Sequence, residues 1–199
     1  MRVEVCGGIA SGKTTLVSAL ETLDFAVGRE RFASNPFFEK FYADPTGYAF
    51  ETELVYLLQH LSQIKEVTSL NRRVAFDFSL ALDLAYARVT LGARDQWTFE
   101  HLLDRAIEKV GPPDLVVRLR CSAEGELLRI QERGRLAEQR LGVTFLRSLD
   151  SELDLALRSR WFTAVPVLSI DSQALDFRPD GPDREHVLQE ITVASEATR

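Results

Sequence analysis

Apolar residues recur along this chain in two rhythms that alternate. Residues 2–6, 24–27, 74–76, 115–119 and 165–170 are short apolar runs of strand type. Between them the spacing turns helical. Residues 51–70 carry Leu54, Leu57, Leu58, Leu61 and Ile64 at helical intervals. Further helices are predicted over 11–20, 80–91, 99–110, 123–132 and 146–162, with a last one from Asp183. Gly111-Pro112-Pro113 stops the helix that precedes it. Strands separated by helices pair in parallel through right-handed crossovers, so the pattern predicts a three-layer α/β/α sandwich around a five-stranded parallel sheet. Ligands in such folds sit at the C-terminal edge of the strands.

Composition narrows the picture. The chain has 199 residues, 45% of them apolar and 27% charged, enough to bury a core as one domain. A net charge of −6 leaves no basic footprint, so neither nucleic acid nor an anionic membrane is an expected partner. Cys6 and Cys121 form neither a metal-binding spacing nor a disulfide framework. With no leader-like segment and no uncharged apolar stretch of about 20 residues, the expected location is the cytoplasm.

The chemistry enters at Gly7-Gly8-Ile9-Ala10-Ser11-Gly12-Lys13-Thr14, followed by Thr15. This is a complete G-x-x-x-x-G-K-T, placed after an apolar strand and opening a helix, the context that marks a P-loop. Its glycines let backbone N–H groups turn inward around phosphate oxygens, and the helix N-terminus adds its positive end. Lys13 is expected on the β- and γ-phosphates of ATP and Thr14 on Mg²⁺. No Asn-Lys-x-Asp guanine-reading motif occurs, and Phe78 follows the strand-end Asp77 where motor-type ATPases place a glutamate. A small-molecule kinase remains.

Four further segments, in order along the chain, and the lone Glu30 resemble the deoxynucleoside kinases. Asn35-Pro36-Phe37-Phe38-Glu39-Lys40-Phe41-Tyr42-Ala43-Asp44-Pro45 is similar to their N-P…F-Y-x-D-P segment, with Glu30 upstream where the family keeps a catalytic glutamate. Asp77-Phe78-Ser79 with Asp83 resembles D/E-R-S-x-x-x-D, and Pro113-Asp114-Leu115 the P-D-L strand. Residues 129–138, with Arg129, Arg133, Arg135 and Glu138, resemble the arginine-rich lid, expected over about 129–142. The resemblance implies transfer of the ATP γ-phosphate to the 5′-hydroxyl of a deoxynucleoside. Glu30 is expected to accept the hydroxyl proton, a role worth about 10²–10⁴-fold. Asp77 is expected to hold Mg²⁺ or to serve as the base itself, and the residues leave these two roles open. The arginines are expected over the γ-phosphate, where a planar, permanently charged fork suits phosphate oxygens. Tyr42 and Glu138 are placed by the resemblance at the sugar 3′-hydroxyl, and Glu53, His60 and Asp83 around the base. It further implies a homodimer built on helices, that of residues 80–91 among them.

Three positions depart from the family pattern. Glu53 stands where glutamine is usual, His60 where arginine is usual, and Phe78 where an arginine contacts the acceptor oxygen. Two other functions therefore stay open. A nucleoside-monophosphate kinase of the thymidylate type shares fold and lid, but a carboxylate 4 Å from a phosphate charge costs about 4 kcal/mol near a protein surface, which sits badly with Glu30. A nucleotide-binding regulator with reduced turnover fits the three departures but not the intact Lys13, Thr14 and Asp77.

Overall fold

The computed structural model describes residues 1–68 and 72–198. Five parallel strands, β1 (Arg2–Cys6), β2 (Ala26–Gly28), β3 (Val74–Phe76), β4 (Leu115–Arg120) and β5 (Val167–Asp171), form one sheet in the order β2-β3-β1-β4-β5. The central strand β1 lies between β3 and β4, with Val3 in register with Ala75 and Leu115.

Strand side chains alternate between two faces, and each face has its own helices. Val3, Val5, Ala75 and Val117 point into a core shared with α1 (Lys13–Leu20) and α8 (Arg184–Ala197), through Leu16, Leu20, Val187 and Ile191. Cys6, Val74, Phe76 and Val116 point the other way. They meet α3 (Pro45–Thr68), α4 (Leu80–Thr90), α5 (Ala93–Val110) and α7 (Val143–Leu157). The expected three-layer sandwich with five parallel strands is the observed fold. Among the described residues no helix is long and apolar enough to cross a membrane.

Two buried ionic groups are structural. Glu4, fully buried on β1, receives the Arg2 guanidinium at 3.1 Å and the Leu80 N–H at 3.1 Å. Arg118 on β4 is held by Asp150 and, at 3.3 Å, by Asp154, both on α7. Removing one partner of such a pair costs about 3–5 kcal/mol, because the other charge stays buried.

Several boundaries move for local reasons. Asp24 takes a left-handed conformation (φ 63°) that ends the 3-10 turn Glu21–Leu23, so β2 begins at Ala26. Pro45 opens α3 six residues earlier than the periodicity placed it, as proline suits a first helical turn. Residues 69 and 70 of the expected helix lie outside the described residues. The expected helix over 146–162 runs instead as Val143–Leu157 and then breaks into turns, with Phe162 still in the core. A short helix, α2 (Phe38–Ala43), was not expected. The helix expected over 80–91 is α4, Leu80–Thr90. Leu80 through Ala85 and Ala87 are buried beneath α3, α5 and α7, while Tyr86, Val89 and Leu91 stay partly exposed.

Candidate active site

At the C-terminal edge of β1 the chain turns through residues 7–12 into α1. Gly12 has φ 101°, a left-handed value that favours glycine, and it points the first N–H groups of α1 into the loop. A Cβ on Gly8 would run into the Glu126 carboxylate, which packs under the loop from α6 (Ala123–Arg133). Lys13 Nζ–H groups donate to the carbonyls of Gly7 (3.0 Å) and Gly8 (2.8 Å). Burial pushes the Lys13 pKa down, while Glu30, Glu126 and Asp77 pull it back up. Ile9 through Thr15 line one end of a cavity of about 570 Å³. Ser11 is buried there, and Thr14 and Thr15 sit in the first turn of α1.

Asp77, at the end of β3, is buried and ties the middle of the cavity together. Its Oδ2 accepts from Thr14 Oγ1 at 2.7 Å and its Oδ1 from the Glu30 N–H at 2.5 Å. Glu30, in the loop after β2, keeps 35% of its side chain exposed. Burial raises its pKa, and His60 and Lys13 lower it again. No group of three or more His, Cys, Asp or Glu converges on a metal site among the described residues. Thr14 and Asp77 are nevertheless two adjacent hard oxygen donors, and magnesium in phosphate sites takes few protein ligands, the rest being phosphate and water. The donor set fits that ion.

The arginines expected in a lid divide into two arrangements. Arg129, on α6, donates to the carbonyls of Ser172 (2.5 Å) and Ala10 (3.5 Å), the latter within the loop itself. α6 ends at Gly134, left-handed at φ 70°, and the chain returns through a 3-10 turn, Leu136–Arg140. That return brings Glu138 back under Arg133 and Arg135. Both donate to its buried carboxylate, Arg135 at 3.3 Å. Arg135 also stacks on Phe32 at 4.1 Å.

The far end of the cavity is walled by α2, α3 and α4. Tyr42 lies edge-on to Phe38 and Phe41, each 5.2 Å away, and its phenol pKa is raised by burial and by the Glu138 and Glu30 carboxylates. Glu53 is 4% exposed, and the Thr90 hydroxyl donates to it at 3.3 Å. Burial first, then the neighbouring Asp83, holds the Glu53 carboxyl well above the usual carboxylate range. Asp83 lines the cavity beside it. His60 does not line it. At 1% exposure it lies behind the wall, bonded to Asp83. Of the two arginines flanking Glu30, Arg31 reaches outward to Glu66 at 3.9 Å and Arg29 is bonded to Glu21 at 2.8 Å.

Two features escaped the sequence reading. Glu126 falls in the N-terminal half of an amphipathic helix, where a carboxylate reads as a solvated first-turn residue. The fold instead turns it under the phosphate loop, 2% exposed with Oε2 unpartnered. Desolvation pushes its pKa to about 7. Phe78 is 1% exposed and stacked face to face on His60, at 3.9 Å and 4°. Only the aromatic side chain at the strand end hinted at this.

Comparison with known proteins gives the family and the fold. A deoxyguanosine kinase of Bacillus subtilis is 22% identical over 196 residues, covering 95% of each chain. One from Lactobacillus acidophilus is 29% identical, covering 95% of this chain and 88% of its own. The solved structure of a deoxyadenosine kinase from M. mycoides with bound dCTP shares the fold, with a TM-score of 0.80 at 21% identity over 97% of this chain and 100% of that one. The model of the deoxynucleoside kinase family matches residues 3–194, almost the full length. The chain belongs to the deoxynucleoside kinase family of phosphotransferases.

Proposed function

We propose that this chain transfers the γ-phosphoryl group of ATP, with Mg²⁺, to the 5′-hydroxyl of a deoxynucleoside. One observation carries the reading: a single cavity joins a phosphate-type backbone cradle to an aromatic and carboxylate pocket, with Glu30 and Asp77 between them. Bound magnesium would neutralise charge developing on the transferring phosphoryl group. The backbone N–H groups of residues 8–14 hold the phosphates, and Lys13 exchanges its loop carbonyls for phosphate oxygens. Thr14 and Asp77 would be the oxygen ligands for the ion. Glu30 takes the proton of the acceptor hydroxyl, since Asp77 already accepts from Thr14 and from the Glu30 amide.

The remaining roles follow position. Arg129 approaches the cradle from α6, and Arg133 and Arg135 belong to a lid that brings Glu138 to the sugar. Tyr42 and Glu138 face the sugar hydroxyl, and Glu53 and Asp83 face the base. Burial raises the Glu53 carboxyl pKa and so favours its protonated form, which has one O–H donor and one acceptor as a carboxamide has. The carboxyl-lined far end disfavours an acceptor that already carries a phosphate. The test is a panel of deoxynucleosides, nucleosides and monophosphates incubated with labelled ATP and Mg²⁺. A labelled 5′-monophosphate from a deoxynucleoside is the expected product. Label appearing only in diphosphates would replace this reading with the monophosphate-kinase one.

A further inference from the structure

Behind the cavity wall lies an arrangement that the reading above leaves unused. His60, in the middle of α3, is 1% exposed, and its ring is fixed on three sides. Phe78 stacks on one face at 3.9 Å, and the Tyr56 ring lies 5.8 Å away at 29°. Along one edge, Nδ1 sits 3.0 and 2.9 Å from the two Asp83 oxygens. An ionised carboxylate only accepts, so Nδ1 carries a hydrogen and donates it.

The opposite nitrogen, Nε2, is buried and has no hydrogen-bond partner. It points toward Glu30, with Oε1 3.8 Å away. Unpartnered buried nitrogens are rare and costly, so one clamped this firmly is aimed at a group that comes to it. Closing 3.8 Å to a hydrogen bond needs a shift of about 1 Å, well within reach of the partly exposed Glu30 side chain. The charged groups facing the ring are Asp83 from α4, Glu30 from the loop after β2 and Glu4 from β1. Burial alone would lower the His60 pKa, but these carboxylates, Asp83 foremost, outweigh it and favour a proton on Nε2.

We propose that His60 is a positioning residue for Glu30: clamped by Asp83 and Phe78, it presents an Nε2–H donor that fixes the Glu30 carboxylate against the acceptor hydroxyl. The proposal rests on the reading of Glu30 as the group that receives the acceptor's proton. Phe78 has no donor to offer that carboxylate, Arg31 points outward and Arg29 is engaged by Glu21. Asp83 acts through His60, setting its tautomer and orientation.

Substitutions that keep one nitrogen each separate this from rival roles. Glutamine at 60 places its amide nitrogen near the position of Nε2, whereas asparagine places it near Nδ1. The purified full chain is assayed with ATP, Mg²⁺ and whichever of deoxyguanosine, deoxyadenosine and deoxycytidine it turns over fastest. His60→Asn is expected to lower kcat about 10²-fold, the cost of a misplaced catalytic group, with KM for the deoxynucleoside little changed. His60→Gln is expected to keep most of the wild-type kcat. In a Glu30→Gln background, His60→Asn is expected to add no further loss. The idea is overturned if His60→Asn raises KM or changes base preference at constant kcat, which would make His60 a base reader. Equal losses in the Asn and Gln variants with a lower melting temperature in both would also overturn it, as a purely structural role. Should His60→Asn fold poorly, Asp83→Asn weakens the same clamp without opening a cavity, and an unchanged kcat there sinks the idea. Wild-type turnover in Glu30→Gln would remove the base assignment and this proposal together. A crippled Glu30→Gln beside an indifferent His60→Asn removes the positioning role alone.

Discussion

The two ends of the cavity are built on different principles. At the phosphate end, consecutive residues of one loop supply main-chain groups, and the local conformation is the site. Gly12 takes its left-handed turn, α1 starts at Lys13, and Thr14 follows in the first turn. At the acceptor end, the groups come from α2, α3, α4 and the return after α6, and nearly every one is a side chain held by another side chain. Glu138 depends on Arg133 and Arg135, Asp83 on His60, and His60 on Phe78. A main-chain site tolerates change in its surroundings. A site of interlocked buried charges loses two groups when one is removed.

The largest expected effect breaks the phosphate end without breaking the fold. Lys13→Ala removes the one ammonium beside the cradle and should lower kcat by about 10³-fold or more, on the scale of other transition-state charges. Because Lys13 bonds only loop carbonyls, the thermal melt should move little. Steady-state kinetics and a melt on the same preparation check both halves.

At the acceptor end the order reverses, and stability should suffer first. Phe78→Arg would restore the cation of the family pattern, but Phe78 is fully buried against His60 and Phe76. A guanidinium there lacks space and a dedicated partner, so the fold should lose several kcal/mol and turnover should fall with it. Higher turnover at an unchanged melting temperature would show that the acceptor end can absorb a charge after all.

Glu126 tests whether the cradle is as indifferent to its surroundings as the comparison holds. Its pKa, about 7 against an ordinary 4.5, means the folded chain binds this proton more tightly than the unfolded one. The associated stability is fully present below pH 4.5 and is lost as pH rises through about 7, a difference of about 3 kcal/mol. Glu126→Gln cannot ionise, so its melting temperature relative to wild type should rise between pH 5 and pH 8. A pH-independent difference would mean that Glu126 does not titrate beneath the loop.

The smallest effect sharpens the sugar assignment. Glu138→Ala should cost about 1.5–3 kcal/mol of transition-state binding for deoxynucleosides with a free 3′-hydroxyl, and less for 3′-deoxy analogues. Equal losses for both would place the effect in the freed Arg133 and Arg135 instead of in the sugar contact. Values of kcat/KM for paired substrates decide between them.

What could be read from the sequence follows the same division. The strand, glycine loop and helix of residues 2–20 are contiguous, and their conformation is dictated by residue types at fixed spacing, so the course of the phosphate loop was legible while the Glu126 carboxylate beneath it was not. The alternation of strands and helices was enough to give the parallel sandwich, because chirality and pairing leave few other ways to bury both faces of such a sheet. Boundaries such as the start of α3 and the end of α7 moved, since caps and tertiary packing set helix ends more than periodicity does. Glu30, Tyr42, Glu53, Asp83 and Glu138 were named from their resemblance to a pattern, and the fold brings all five to one cavity. Only the tertiary structure decided that His60 stands behind the wall, that Phe78 is core and that Glu126 lies under the loop. Each of these depends on which side of a helix or strand end meets a neighbour distant in sequence. Burial and charge pairing then settle what a side chain can do, and neither exists until the chain has packed.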